Sequence, residues 1–296
     1  MNFNRRGTEA KQENKIYTMK KIVIAISILM MSISCGEIFA QKDGFSLHLS
    51  GVFPNGKFGE FDEVNNNDEM KRVGALFNEQ SKTGAAGTGF GLGFKYQFPI
   101  PQIENLRFLI GAEVMWNPLN SDAKDYIDEI IETQKAKNQT ADYMDINTTF
   151  PNYLNIPLMA GLNYSFGLTD KVKLYGEFGI GLNIRIATKF MLENEERGSI
   201  YDGYYYYDYA GRSEVTFKYD NATSFAYQLG VGVLFDKVSI GLHWYNLGSV
   251  KVKGEMEQIT NVTVYNDDSY YDSNKESFKW KELSTSMLTL KIGFHF

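Results

Sequence analysis

Only one cysteine and six prolines occur in 296 residues. That scarcity excludes a disulfide scaffold, a zinc-ribbon protein and a collagen. Long apolar runs are missing too. The one apolar stretch, Ile22–Ile33, is too short for a comfortable helical span, so a polytopic helical membrane protein is excluded. Basic charge is in deficit, with 30 Lys+Arg against 36 Asp+Glu. No basic stripe appears, which argues against a nucleic-acid partner. What the chain has in quantity is 19 Tyr, 21 Phe and 27 Gly, the composition of an all-β chain.

The apolar stretch reads as part of a targeting segment. Lys20 and Lys21 precede it, and Ala40 offers a small residue before Gln41. Residues 19–40 are therefore expected to be a signal peptide. Residues 1–18 are polar and precede a second Met, so they read as an over-extended start. Cys35 lies inside the signal. Ser32, Ile33 and Ser34 lack the Leu usual three places before a lipidated cysteine, so its loss with the signal is expected rather than lipidation. Residues 41–296 then form one domain with 24 Lys+Arg against 33 Asp+Glu, a net charge of −9.

From Gly44 onward the main signal is alternation of apolar and polar residues. Eight stretches show it: Phe45–Phe53, Phe90–Phe98, Leu106–Trp116, Leu154–Tyr164, Val172–Ile184, Phe225–Phe235, Val238–Trp244 and Leu288–Phe296. Most have the length a tilted strand needs to cross a bilayer. The connections Pro99–Asn105, Gly167–Lys171 and Asp236–Lys237 are short. Pro54–Gly84, Asn117–Phe150, Thr188–Thr223 and Gly248–Leu283 are long. Short turns at one end and long loops at the other match outer-membrane barrels.

Alternation alone leaves a soluble, lipocalin-like barrel open. Glycine decides between the two. The face opposite the apolar one carries Gly91, Gly93, Gly179, Gly181, Gly230 and Gly232 beside Lys95, Glu113 and Glu177. Glycine weakens a solvated strand, but it makes room in the crowded lumen of a narrow barrel. The expected fold is all-β: an eight-stranded antiparallel transmembrane β-barrel with long extracellular loops and short periplasmic turns. Closure satisfies every backbone group in lipid. The expected location is the outer membrane of a Gram-negative cell, with lipid around the barrel. Phe296, an aromatic ending an alternating strand, reads as a signal to the barrel assembly machinery.

Three segments resemble the PorT-like outer-membrane β-barrel family. They are Gly51-Val52-Phe53-Pro54-Asn55-Gly56-Lys57-Phe58-Gly59, Tyr153-Leu154-Asn155-Ile156-Pro157-Leu158 and Gly176-Glu177-Phe178-Gly179-Ile180-Gly181. The resemblance covers about Gly44 to Phe296 and implies a signal-led, eight-stranded barrel. Its name links it to secretion, which makes a component of a transport or secretion assembly the second functional reading.

Arg107, Glu113, Glu177, Arg185 and Lys291 share the lumen face and are expected to pair in a buried polar network. His48, His243 and His295 lie on the same face, as polar fillers or as a metal site. In the second long loop, Tyr126, Ile127, Ile130 and Ile131 share one side of a helix over Ser121–Asn138. It would cap the barrel mouth or bind a partner. Tyr201, Tyr204, Tyr205, Tyr206, Tyr207 and Tyr209 crowd the third long loop, a composition suited to recognition or to loop packing. No Gly-x-Ser-x-Gly, complete P-loop or His-Glu-x-x-His motif occurs, and no cofactor is expected. A lipid-modifying barrel enzyme is the least favoured reading, because the histidines point inward. The favoured reading is a non-enzymatic surface protein that binds an extracellular ligand or protein through its loops.

Overall fold

The computed structural model describes residues 44–296 apart from 64–68, 78–79, 82, 138–140, 202–205 and 265–269. The targeting-segment readings, Cys35 among them, lie outside the described residues. Eleven strands follow in order: β1 (Phe45–Asn55), β2 (Gly89–Pro99), β3 (Leu106–Pro118), β4 (Ala141–Thr149), β5 (Asn152–Gly167), β6 (Val172–Ala187), β7 (Phe190–Tyr201), β8 (Tyr206–Tyr219), β9 (Ala222–Phe235), β10 (Val238–Val264) and β11 (Tyr270–His295). Eight of them close a barrel in the order β11-β1-β2-β3-β5-β6-β9-β10, with β10 pairing back to β11. These eight contain the eight alternating stretches apart from the terminal Phe296, and every pairing in the ring is antiparallel.

The two faces separate as the alternation requires. Leu49, Phe90, Leu92, Ile180, Leu229 and Val231 are exposed on the outside, while Glu113, Glu177, Gln228, His243 and Lys291 are buried inside. A continuous apolar exterior around a charged interior cannot stay dissolved in water. It suits a bilayer, where the closed ladder leaves no edge. The chain is an outer-membrane β-barrel.

Above the barrel, the structure departs from the expected loops. β4, β7 and β8 occupy segments read as connections. Asn155 pairs with Arg185 between β5 and β6, and eleven residues away on both strands Met144 pairs with Glu196 between β4 and β7. Arg185 pairs with Ala222, and five residues on, Phe190 pairs with Phe217. Tyr227 pairs with Asn246, and eight residues on, Tyr219 pairs with Gly254. The registers are continuous. The pairs β4/β5, β6/β7 and β8/β9 are three long strands, each broken for two residues at one level. With the extended β10 and β11 they raise one side of the barrel into a five-stranded wall.

Side-chain phase inverts at that break. Tyr153, Arg185 and Ala226 face inward below it, and Ile146, Phe190 and Phe217 are buried above it. Those separations of seven, five and nine residues are odd, whereas one face of an unbroken strand recurs at even spacing. Gly248 of β10 lies beside Ser224 and Phe225, at a register shift against β11, with φ +77°. A Cβ there would come within 2.4 Å of the Phe225 carbonyl oxygen, so glycine is needed.

Two helices lean on the inner side of the wall. α1 is Glu69–Phe77, and α2 is Ser121–Lys137. Asn120 caps α2, its Oδ1 accepting from the Ala123 N–H at 2.8 Å. The face expected to be apolar is the one buried, with Ile127, Ile130 and Ile131 inside and Tyr126 packed beside them. The helices and the wall share a core: Phe77 stacks on Phe190 at 4.0 Å, and Phe58, in the turn after β1, meets Tyr153 edge-on at 5.3 Å. Tyr153 Oη donates to the Gly84 carbonyl at 2.6 Å, tying this cap to the barrel rim.

The outer side of the wall is charged. Glu193 and Glu195 flank Arg212, and Glu257 accepts from Lys218 at 2.5 Å and Lys275 at 2.8 Å. The bonds from Lys218 and then Lys275 hold the Glu257 carboxyl down at about 2. A depressed carboxyl stabilises the fold fully above its unfolded value of 4.5 and loses that contribution as the pH falls toward 2. Glu257→Gln should therefore lower the thermal midpoint at pH 7, and the gap to wild type should close near pH 2. The effect is small, on the scale of a solvent-screened pair. A gap that persists at pH 2 would refute the charge explanation.

Candidate functional site

Two regions concentrate polar chemistry: the lumen and the tip of the wall. In the lumen, short strands of fixed parity aim long side chains at a narrow axis. Glu113 on β3 accepts from Ser50 Oγ at 2.5 Å, Tyr245 Oη at 3.0 Å and Lys291 Nζ at 2.5 Å. Lys291 also donates to Tyr245 Oη at 2.5 Å. Glu177 on β6 accepts from Lys95 Nζ and from Gln228 Nε2 at 2.8 Å. His48 Nε2 stands 3.5 Å from Glu113, and His243 Nδ1 stands 3.9 Å from Glu177. His295 pairs with Ser239 Oγ at 2.9 Å. Among the described residues, no cluster of three or more metal-ligating side chains forms.

Of the five residues expected to pair, Glu113 and Lys291 meet directly. Glu177 takes Lys95, a lumen-face residue left out of the expected network. Arg107 sits half-buried opposite Asn163. Arg185 does not join the carboxylates. It is buried at the outer neck, with its guanidinium 5.5 Å from the Phe58 ring and none of its three nitrogens hydrogen-bonded. Parity placed it on the right face but says nothing of height along the axis. Tyr245 and Gln228 also escaped the sequence reading, though both have lumen parity on strands that were recognised.

The lumen is filled. A void of about 20 Å³ lies among His48, Lys95, Glu113, Gln228, Tyr245 and Lys291, room for roughly one water. Met115, Met287, Val52 and Leu247 are fully buried in the barrel above, and the helical cap covers the mouth.

At the tip, Tyr201 pairs with Tyr206, and Ile200 pairs with Tyr207, at the end of the β7–β8 hairpin. Tyr209 pairs with Gly198 on one side and Val264 on the other, and its side chain is half-buried. Tyr204 and Tyr205 lie outside the described residues. Phe296 is at the opposite end, exposed on the lipid side, with its N–H bonded to the Phe45 carbonyl at 3.0 Å and its ring 6.0 Å from that of Phe45.

No protein-family model matches the chain, and no curated protein sequence does either. Solved outer-membrane barrels do resemble it at low identity. A major outer membrane protein from Thermus thermophilus is 12% identical, with 86% of this chain and 100% of that chain covered and a TM-score of 0.34. Ail, the attachment invasion locus protein of Yersinia pestis, is 10% identical over 86% of this chain and 100% of its own, with a TM-score of 0.30. LpxR from Salmonella typhimurium is 9% identical over 85% and 100%, with a TM-score of 0.20.

Proposed function

We propose that this is a non-enzymatic outer-membrane surface protein that recognises an extracellular ligand or protein through the top of its raised wall. The observation that carries this reading is the placement of the tyrosine cluster. Eleven residues of β7 separate Phe190, just above the break, from Tyr201 at the tip, about 35 Å measured along the strand at the ordinary rise. Tyr201, Tyr206, Tyr207 and Tyr209 stand there in a paired ladder. Tyrosine offers large contact area and a hydroxyl at low entropic cost. The plugged lumen speaks against solute passage.

Charge narrows the partner. Residues 56–85 carry four Lys+Arg against six Asp+Glu, 119–151 three against seven, 188–222 four against seven and 249–284 five against seven. That is 16 against 27 above the membrane, which favours a neutral or basic partner over a polyanion.

The test replaces residues 201–209 with a Gly-Ser segment of equal length. Purified wild type and variant are then applied to neutral-glycan and basic-peptide arrays. Wild type should bind a subset of features, and the variant should lose most of that signal while keeping its heat-modifiable gel shift. Equal binding by both proteins would overturn the reading. Co-purification of the variant with a secretion complex would favour the assembly reading instead.

A further inference from the structure

Arg185 is a cation of the barrel neck whose pairing the fold leaves open. It is 3% exposed, and its Nε, Nη1 and Nη2 have no hydrogen-bond partner. What its guanidinium faces at close range is an aromatic surface, the Phe58 ring. Asn155 stands directly across from it in the β5–β6 ladder, so the two side chains project side by side into the lumen, with Cβ atoms about 5 Å apart. Asn155 Oδ1 is engaged by Asn183 Nδ2 at 3.1 Å. Asn155 Nδ2 is buried and unpartnered. Among the described residues, the neck therefore presents a guanidinium and an amide N–H₂ that make no hydrogen bond, and no carboxylate is paired with either.

Nearby unpartnered acceptors are few and neutral: Asn117 Oδ1 on β3 and Asn183 Oδ1 on β6. They can hold water, but water brings a dipole and no charge. A buried cation without a counter-charge is among the least favourable arrangements a fold can contain. A planar guanidinium with its donor fork matches small anions well.

We propose that Arg185 and Asn155 bind a small monovalent inorganic anion, of halide or nitrate size, in the outer neck of the barrel beneath the helical cap. Water bridges it to Asn117 and Asn183. The site lies between the β5–β6 wall and Phe58 of the cap, so the anion fastens the cap to the barrel. The inference is independent of the tyrosine cluster and of any surface ligand.

Detergent-folded protein is heated in sodium gluconate, then with chloride or nitrate replacing gluconate at constant ionic strength. The wild-type midpoint should rise with the logarithm of the anion concentration above half-saturation, by roughly 5–10 °C at a hundred times the half-saturating concentration. Arg185→Met should lose this dependence and, in gluconate, unfold at or above the wild-type temperature, because the unpaired cation is gone. A wild-type midpoint indifferent to chloride and nitrate would overturn the proposal. Should Arg185→Met fail to fold, crystals of wild type grown in bromide decide the matter. An anomalous peak at hydrogen-bond distance from the guanidinium supports the site, and water alone there refutes it.

Discussion

Glu113→Ala is expected to destabilise the barrel by about 3–5 kcal/mol, the range for breaking one side of a buried ion pair. The carboxylate accepts from Lys291, Tyr245 and Ser50 at once. Its removal strands an ammonium that is 5% exposed, with the Tyr245 hydroxyl still accepting from it and the Tyr245 ring beside it. Urea unfolding in detergent or lipid should show the midpoint fall with an unchanged slope. The double change Glu113→Ala with Lys291→Met should recover more than half of the loss, since it removes the orphaned charge. A single-variant loss below about 1 kcal/mol would mean that water enters the lumen and screens Lys291, contrary to its filled state.

Val231→Arg should cost about 2–4 kcal/mol, the depth-dependent penalty for a cation facing lipid near the midplane. Val231 is 63% exposed on the outer face, between Gly176 of β6 and Leu242 of β10. The adjacent Gly232 points inward, and a Cβ there would come within 2.5 Å of both the Ile240 carbonyl oxygen and the Tyr175 ring. Gly232→Ser is thus destabilising for steric reasons. Comparison of thick and thin bilayers separates the two mechanisms. The Val231→Arg penalty should shrink as the hydrocarbon thins and arginine reaches the interface, while the Gly232→Ser penalty should stay constant. If Val231→Arg is as stable as wild type in every bilayer, the lipid-facing assignment fails.

The membrane portion was legible because one physical rule governs it. Each strand must be apolar outward and small or polar inward, and Leu47, Leu49 and Phe90, Leu92 against His48, Gly91 and Gly93 show the rule in a few residues. The raised wall obeys a different rule. Its inner face is covered by helices, its outer face by water, and the phase slips by one at Pro151, at Thr188-Lys189 and at Asp220-Asn221. A run such as Glu193-Asn194-Glu195-Glu196-Arg197 carries no apolar alternation, although it is half of a ladder. The helix at Ser121–Lys137 was readable from its own periodicity because its buried side chains lie on one segment. Lumen pairing was less so. Parity told that Glu113, Glu177, Lys95 and Lys291 share a space, but the stagger of the strands around the ring decides which of them touch.

The register that carries β4/β5, β6/β7 and β8/β9 unshifted across the break has a mechanical consequence. A tug on the β7–β8 hairpin runs along the strands, so the rows of N–H···O bonds to β4, β10 and the barrel below are loaded sideways and together. No single bond at an edge must yield first, as it would if the hairpin were peeled away from its neighbours. A load applied at the tip is therefore shared among β4, β7, β8 and β10 and passed down to the barrel strands that continue them.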